Sequence, residues 1–290
     1  MNIALVTYLD KGAYHAINVS NEDEQVIAFL QSKGLIITKE IWNDHNVVWE
    51  NYDLAIIKSP WDYFDQIKEF YSWLDQMEKL SIRLLNPATI LRWNADKHYL
   101  IDIENAGLPV TPTVYLAQGQ TVNISDYFVA FGTDDLIIKP VVSGGAKNTF
   151  KVNLATVEEH TTKINQLLQF EDFIVQPFLN EIEVAGEWSF LFFGGNFSHA
   201  VVKKAASGDF RVQSTFGGSV HPQKPTTEIT DKAQVYIDLF AKDCLYARVD
   251  AAVINDELIL MELELIEPYL FLDTDPDSLE HYYQALLRLL

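Results

Sequence analysis

The sequence predicts an α/β chain that becomes α+β in its C-terminal part, and three observations carry that expectation. Up to about residue 90, near-continuous apolar strands alternate with helix-periodic segments, the pattern of a parallel sheet covered on both faces. From residue 186, strands follow one another through Gly and Asn turns, the pattern of an antiparallel sheet. The chain has 290 residues, 48% of them hydrophobic, which excludes disorder as the overall state and supports two or three cores.

Residues 2–9 read as a buried first strand, closed by Asp10, Lys11 and Gly12. A helix starts at Ser20 or Asn21, with acidic residues 22–24 in its first turn, and Gly34 stops it. Strands 35–41, 53–58 and 81–85 follow, with a helix over 66–80 between the last two. Beyond residue 90 a helix over 94–106 ends at Gly107 and Pro109. Strands 113–117 and 135–140 come next, then a glycine loop over 143–150, a helix over 155–169 and a strand over 172–178. The third part holds a hairpin turning at Gly194-Gly195-Asn196 and a strand over 210–215. A helix over 228–243, two strands flanking Asn255-Asp256 and a final helix over 276–289 complete it. These spans divide the chain into 1–90, 91–180 and 181–290.

Charge narrows the function classes. Forty-one Asp and Glu against 21 Lys and Arg give a net charge of −20, which argues against a nucleic-acid partner, because that affinity depends on Lys and Arg neutralising phosphates. Asp10 and Lys11 interrupt the first apolar run and no 18-residue uncharged apolar stretch occurs, so neither a signal peptide nor a membrane span is expected. The lone Cys244 excludes an intramolecular disulfide and suits a reducing cytosol.

In so acidic a chain the cations beside buried strands are conspicuous. Lys139 ends the strand over 135–140, and Ser143, Gly144 and Gly145 follow, where backbone N–H groups can approach an anion. A surface loop beside a snorkelling lysine explains the same residues. The Walker A and GxGxxG patterns are both absent. Glu262 and Glu264 leave one face of a strand. A three-residue hairpin loop over 255–257 would set Asp250 opposite Glu262 and Arg248 opposite Glu264, and three carboxylates on one face call for a cation such as Mg²⁺. A two-residue loop would instead set Asp250 opposite Met261, and an exposed acidic face is the plain alternative. Lys203, Lys204 and Arg211, with Gln213 beside Arg211, form a third polar group, or ordinary sheet-surface charge. Asp62 and Tyr63 follow the strand over 53–58 at its carboxyl end, where α/β sheets bind ligands; Trp61 between them and the strand is as readily a packing residue.

In order, LRWNADKHYL (91–100), LPVTPT (108–113), IIKPVVSGGAKNT (137–149), IVQPFLNEIEVAGEWS (174–189), GDFRVQSTFGG (208–218), YARVD (246–250) and LMELELIEP (260–268) resemble the ATP-grasp superfamily. The resemblance is greatest to the branch holding prokaryotic glutathione synthetase, the ribosomal-protein glutamate ligase and the D-cycloserine biosynthesis ligase. It implies an N-terminal α/β domain, a central lid over 91–180 and a C-terminal mostly antiparallel metal-binding domain, with ATP and Mg²⁺ between the last two. It implies that Lys97 and Lys139 touch ATP, that the loop over 143–149 covers the phosphates, and that Gln176, Pro177, Phe178 and Leu179 read the adenine edge. Glu183 would take the ribose hydroxyls, and Asp250, Glu262 and Glu264 the metal. Arg211 would steady the transferred phosphoryl group, with Lys204 and Arg248 as further catalytic cations. Asp62 and Tyr63 would face the acceptor. Many relatives carry Asn where Glu264 stands, and the arginine expected near Glu187-Trp188-Ser189 is missing, which weakens the case for a peptide substrate.

The implied activity is ATP-dependent carboxylate–amine ligation, or ring closure, of an amino acid, a derivative or a short peptide. A small-molecule kinase and a nucleotide-binding domain without turnover are the alternatives. Small-molecule carboxylates and amines are the expected partners. The Tyr282-Tyr283 pair reads as either a homodimer interface or ordinary docking onto the core.

Overall fold

The apolar run Ile3–Val6 makes β1 (Asn2–Thr7) a buried strand, with five of its six residues covered, and it lies inside the N-terminal sheet between β2 and β3. The computed structural model describes residues 1–10, 12 and 21–290; Lys11 and Ser20, named above, lie outside the described residues. Helix α1 (Glu22–Ser32) starts at Asn21, whose side chain accepts the N–H of Glu24 at 3.3 Å. With β2 (Ile36–Ile41), β3 (Leu54–Ser59), α2 (Ile67–Lys79) and β4 (Arg83–Leu85) it builds a parallel sheet of order β2-β1-β3-β4.

Of the helix expected over 94–106 only α4 (Tyr99–Asn105) forms, and a separate helix that was not expected, α3 (Ala88–Asn94), precedes it. The break between them has a cause: the N–H of Lys97 bonds the carbonyl of Val141 at 2.9 Å. The main chain is thereby tied to the segment that follows residue 140, and the Lys97 side chain reaches the Ser143 carbonyl and Glu262. Next come β5 (Val114–Leu116), α5 (Ser125–Phe131), β6 (Asp135–Pro140), β7 (Phe150–Asn153), α6 (Val157–Leu167) and β8 (Phe173–Pro177). Their sheet has order β5-β8-β6-β7 and is antiparallel throughout.

After α7 (Glu181–Ala185), strands β9 (Glu187–Phe193), β10 (Asn196–Lys204) and β11 (Ser219–Gln223), helix α8 (Thr227–Phe240), then β12 (Tyr246–Ile254) and β13 (Glu257–Glu264) form a five-stranded antiparallel sheet of order β11-β10-β9-β12-β13. Helix α9 (Ser278–Leu289) ends the chain. The sheet is covered on both faces, which explains the unbroken FLFF run of β9. Phe190 and Phe192 pack with α4 and α8, while Leu191 and Phe193 pack with α9 and the N-terminal sheet. Tyr282 is wholly buried there, so half of the tyrosine pair belongs to the core.

Two further expectations need correction. Residues 210–215 form no strand: the segment is a loop with one short helical turn at Ser214–Phe216, and the strand beside β10 is β11. The alternation was real, since Val212 packs against Ile182 and Ala252, but a loop with one packed side produces the same period. The β12–β13 loop has two residues, not three: Ile254 pairs with Glu257, and Asn255 and Asp256 take φ of 52° and 64°. Yet Asp250 still faces Glu262 and Arg248 still faces Glu264, because the register shifts between Asp250 and Ala251 and leaves Met261 as an extra residue. The bulge restores the alignment that the short loop would have lost. Asn tolerates the left-handed backbone that the turn demands, whereas Val does not, so Asn255→Val should cost about 1–2 kcal/mol and lower the thermal midpoint by several degrees.

Candidate active site

All three sheets contribute to one cavity of about 880 Å³. Trp61, Tyr63 and Phe64 reach it from the N-terminal sheet, Lys139 and Gln176 from the central sheet, and Lys203, Arg248, Asp250, Glu262 and Glu264 from the third. Lys97, Lys139, Lys147, Lys203, Arg211 and Arg248 line it, six of the chain's 21 basic residues in one place.

The cations and carboxylates are arranged as interlocked pairs. Asp250 is 3% exposed. Its Oδ1 accepts from Ser189 Oγ at 2.5 Å and Arg248 Nε at 3.0 Å; its Oδ2 accepts from Arg248 Nη2 at 2.9 Å and Lys203 Nζ at 3.1 Å. Burial works against its charge, but Arg248 and Lys203 outweigh it and hold the carboxyl well below the usual range. Arg248 also bonds Glu264 and, through Nη1, the Tyr269 carbonyl at 2.9 Å. Lys203 pairs with Glu187 at 2.5 Å as well, and these two acids raise its ammonium pKa despite burial.

Glu262 belongs to a second set. Lys97 Nζ lies 3.1 Å and Lys139 Nζ 3.9 Å from its carboxylate. Lys97 also donates to the Ser143 carbonyl at 2.9 Å, which ties the start of the glycine loop to the same point. Burial lowers the pKa of Lys139, with Lys97 adding repulsion and Glu262 opposing both. Glu264 is less compensated: burial, with Asp250 and Glu262 nearby, brings its carboxyl up to about 7. Burial likewise pushes Glu267 up, and Glu264 adds to it.

The sequence singled out most of these residues, with three shifts of place. Lys204 is exposed and does not line the cavity; Lys203 does, since successive strand side chains face opposite ways. Glu183 also lies outside the lining and pairs with Lys151 at 2.8 Å. Asp62 accepts from Trp42 Nε1 at 2.7 Å and Gln66 at 3.1 Å instead of lining the cavity, whereas Tyr63 and Trp61 do line it. Ser143, Gly144, Gly145, Gln176, Pro177, Phe178 and Leu179 are all at the wall. The three carboxylates share a face but do not converge: among the described residues no group of three His, Cys, Asp or Glu side chains is arranged to hold a metal ion. Asp250 is instead committed to Arg248 and Lys203.

One wall residue, Asn94, was not among those singled out from the sequence. Asn94 donates to the Leu263 carbonyl at 2.7 Å and accepts the N–H of Leu265 at 2.9 Å, bracketing Glu264 at the end of β13. Arg211 is fixed by Asp209, with Nε–Oδ1 3.0 Å and Nη2–Oδ2 2.7 Å, and lies 3.5 Å from the Phe216 ring centre. Those hydrogen bonds hold the Asp209 carboxyl down at about 2. The loop carrying Arg211 closes where Gly218 meets Val212: a Cβ on Gly218 would stand 2.1 Å from the Val212 carbonyl oxygen. Gly144 is also close-packed, with Phe64 Cε1 2.5 Å from where its Cβ would be.

Known proteins resemble this chain in sequence and in fold. Residues 3–86 match the family described as D-cycloserine synthetase DcsG, N-terminal domain. Cycloserine biosynthesis protein DcsG of Streptomyces lavendulae is 27% identical over 267 residues, 86% of this chain and 88% of that protein. The crystal structure of D-cycloserine synthetase DcsG superposes with a TM-score of 0.87 at 24% identity, covering 100% of both chains. A RimK domain protein ATP-grasp from Sphaerobacter thermophilus DSM 20745 superposes with a TM-score of 0.69 at 12% identity, over 100% of this chain and 99% of that one.

Proposed function

Because this chain has the ATP-grasp fold, we propose that it is an ADP-forming ligase that activates the carboxylate of an amino-acid derivative and joins it to an amine, in the same molecule or a second one. The observation that carries the reading is the cavity itself: six cations and a row of carboxylates held between three sheets under a glycine loop. The division 1–90, 91–180 and 181–290 follows those sheets in this reading, and a cytosolic setting suits the single buried Cys244.

A carboxylate is a poor acyl donor in water. Attack of its oxygen on the γ-phosphorus breaks the bond to the bridging oxygen and releases ADP. The amine nitrogen then attacks the acyl carbon, the carbon–oxygen bond breaks, phosphate leaves and the nitrogen loses a proton. Both steps shift negative charge, so positioning and preorganised cations supply most of the acceleration. We assign Lys97 and Lys139 to the nucleotide phosphates and Gln176–Leu179 to the adenine edge. Arg211 and Arg248, with Lys203 in place of Lys204, face the acyl-phosphate. An acyl-phosphate hydrolyses when wet, so the loop over 143–149 packed on Phe64 serves to exclude water.

Mg²⁺ fits the donor set in part. Glu262 and Glu264 offer hard oxygen donors, and the Glu264 carboxyl, pushed up chiefly by burial and further by Asp250 and Glu262, is one whose ionised form a dication would stabilise. Asp250 could join them only by giving up Lys203 or Arg248, cations that phosphates would themselves attract. The metal would supply neutralisation of phosphate charge.

Incubating the protein with ATP, Mg²⁺ and pooled amino acids and their hydroxylated or aminooxy derivatives should release ADP and free phosphate in equal amounts. A kinase would leave a stable phosphate ester instead. Gly218→Ala should lower that turnover by about tenfold or more, because the backbone clash displaces Arg211. A variant with wild-type turnover would remove Arg211 from the reaction.

A further inference from the structure

Outside the cavity, two deeply buried charges meet where the N-terminal sheet abuts the segment after β13. Lys58, on β3, is 1% exposed and Glu22, in the first turn of α1, 3% exposed. Lys58 Nζ and Glu22 Oε2 are 2.9 Å apart. Glu22 does more than neutralise the lysine. Its Oε2 accepts the N–H of Leu270 at 2.9 Å and its Oε1 that of Leu272 at 3.0 Å, across 248 and 250 residues of sequence.

These two amides flank Phe271, a non-glycine residue at φ 52°. Backbone in that region persists where its surroundings hold it. The segment also forms a wall of the site: Tyr269, Phe271, Asp273 and Thr274 line the cavity. The Tyr269 carbonyl accepts from Arg248 at 2.9 Å, and the Phe271 ring centre lies 5.6 Å from the Arg248 guanidinium.

We infer that Glu22 is a positioning residue: its carboxylate clamps the amides on either side of Phe271 and so sets the Tyr269 carbonyl and the Phe271 ring against Arg248. The N-terminal sheet thus acts on the reaction through backbone geometry as well as through its own side chains at the cavity. The effect on turnover rests on the ligase reading; the clamp itself does not.

Two variants separate the clamp from simple charge burial. Lys58→Met removes the ammonium and leaves the carboxylate with both amides. Glu22→Gln combined with Lys58→Met leaves no charge buried alone, but the glutamine NH₂ is a donor and cannot accept an N–H. Amide hydrogen exchange at Leu270 and Leu272 should be slow in the wild type, faster by at most a few-fold in Lys58→Met, and faster by about tenfold or more at one or both amides in the double variant. ADP release from ATP with the amino-acid pool should fall at least about tenfold in kcat for the double variant alone. KM for ATP should stay within about twofold, because the adenine strand is on another sheet.

Fast exchange of these amides in the wild type would overturn the inference without any variant. So would wild-type exchange in the double variant, equal losses in both variants, or unchanged kcat once exchange has quickened. A wild type that releases no ADP would sink the ligase reading, while exchange would still decide the clamp.

Discussion

Glu262→Gln is expected to give a folded protein whose ATP turnover has fallen by roughly 10²–10³-fold, the range seen when one preorganised charge contact is removed from a reaction centre. The residue is partly open to solvent in the cavity wall, so its neutral isostere fits the same space. What changes is electrostatic. Lys97 and Lys139 lose the carboxylate that holds them 3.1 and 3.9 Å away. The Lys139 ammonium, already disfavoured by burial and by Lys97, loses its largest compensation. The strand loses one of the two oxygen-donor side chains proposed for the metal. A folded variant that keeps more than about a tenth of wild-type turnover would remove Glu262 from the mechanism.

Arg248→Met should be the most destabilising change in the site. Arg248 makes two hydrogen bonds to Asp250, one to Glu264 and one to the Tyr269 carbonyl. Without it Asp250 remains 3% exposed with only Lys203 and Ser189 as partners, and Glu264 loses its cation. Breaking a buried pair by removing one member costs about 3–5 kcal/mol, equivalent to a fall in thermal midpoint of roughly 10 °C. Arg248→Lys keeps the charge but cannot reproduce the two-nitrogen grip on Asp250, so it should lose less stability and still lose turnover. A melting profile for Arg248→Met that matches the wild type would show that Asp250 does not depend on the arginine.

The sequence made the frame of the fold legible because apolar period and turn residues act locally. The N-terminal parallel sheet and the Gly194-Gly195 hairpin both follow from them. What it hid depends on contacts distant in sequence. The break at Lys97 comes from a bond to Val141, and the true edge strand at Ser219–Gln223 was masked by the alternating loop that carries Arg211. The β12–β13 pair shows both effects. Asn255-Asp256 signals a turn, but the bulge at Met261 that restores Asp250 opposite Glu262 leaves no mark in local sequence.

The same division holds for the site. Lys139, Arg211, Arg248, Asp250, Glu262 and Glu264 stood out as charges on or beside expected strands and Lys97 only through the family resemblance, and the structure brings all seven to one cavity. Lys203 and Lys204 could not be separated without knowing which side of β10 faces inward. Asn94 gave no chemical signal, since its amide reads as a helix-end residue until β13 lies against it. Glu22 reads as a favourable first-turn acid of a helix, and only the packed chain places the 270–272 backbone over it.

The proposed reaction requires that a substrate carboxylate be phosphorylated and its phosphate then displaced. Labelling the carboxylate oxygens of the pooled amino acids and derivatives with ¹⁸O, and measuring the released phosphate by mass spectrometry, tests it directly. An acyl-phosphate hands one carboxylate oxygen to phosphate, so one ¹⁸O per phosphate formed is the predicted result. Unlabelled phosphate released alongside ADP would contradict it, because the γ-phosphoryl group would then have gone to water.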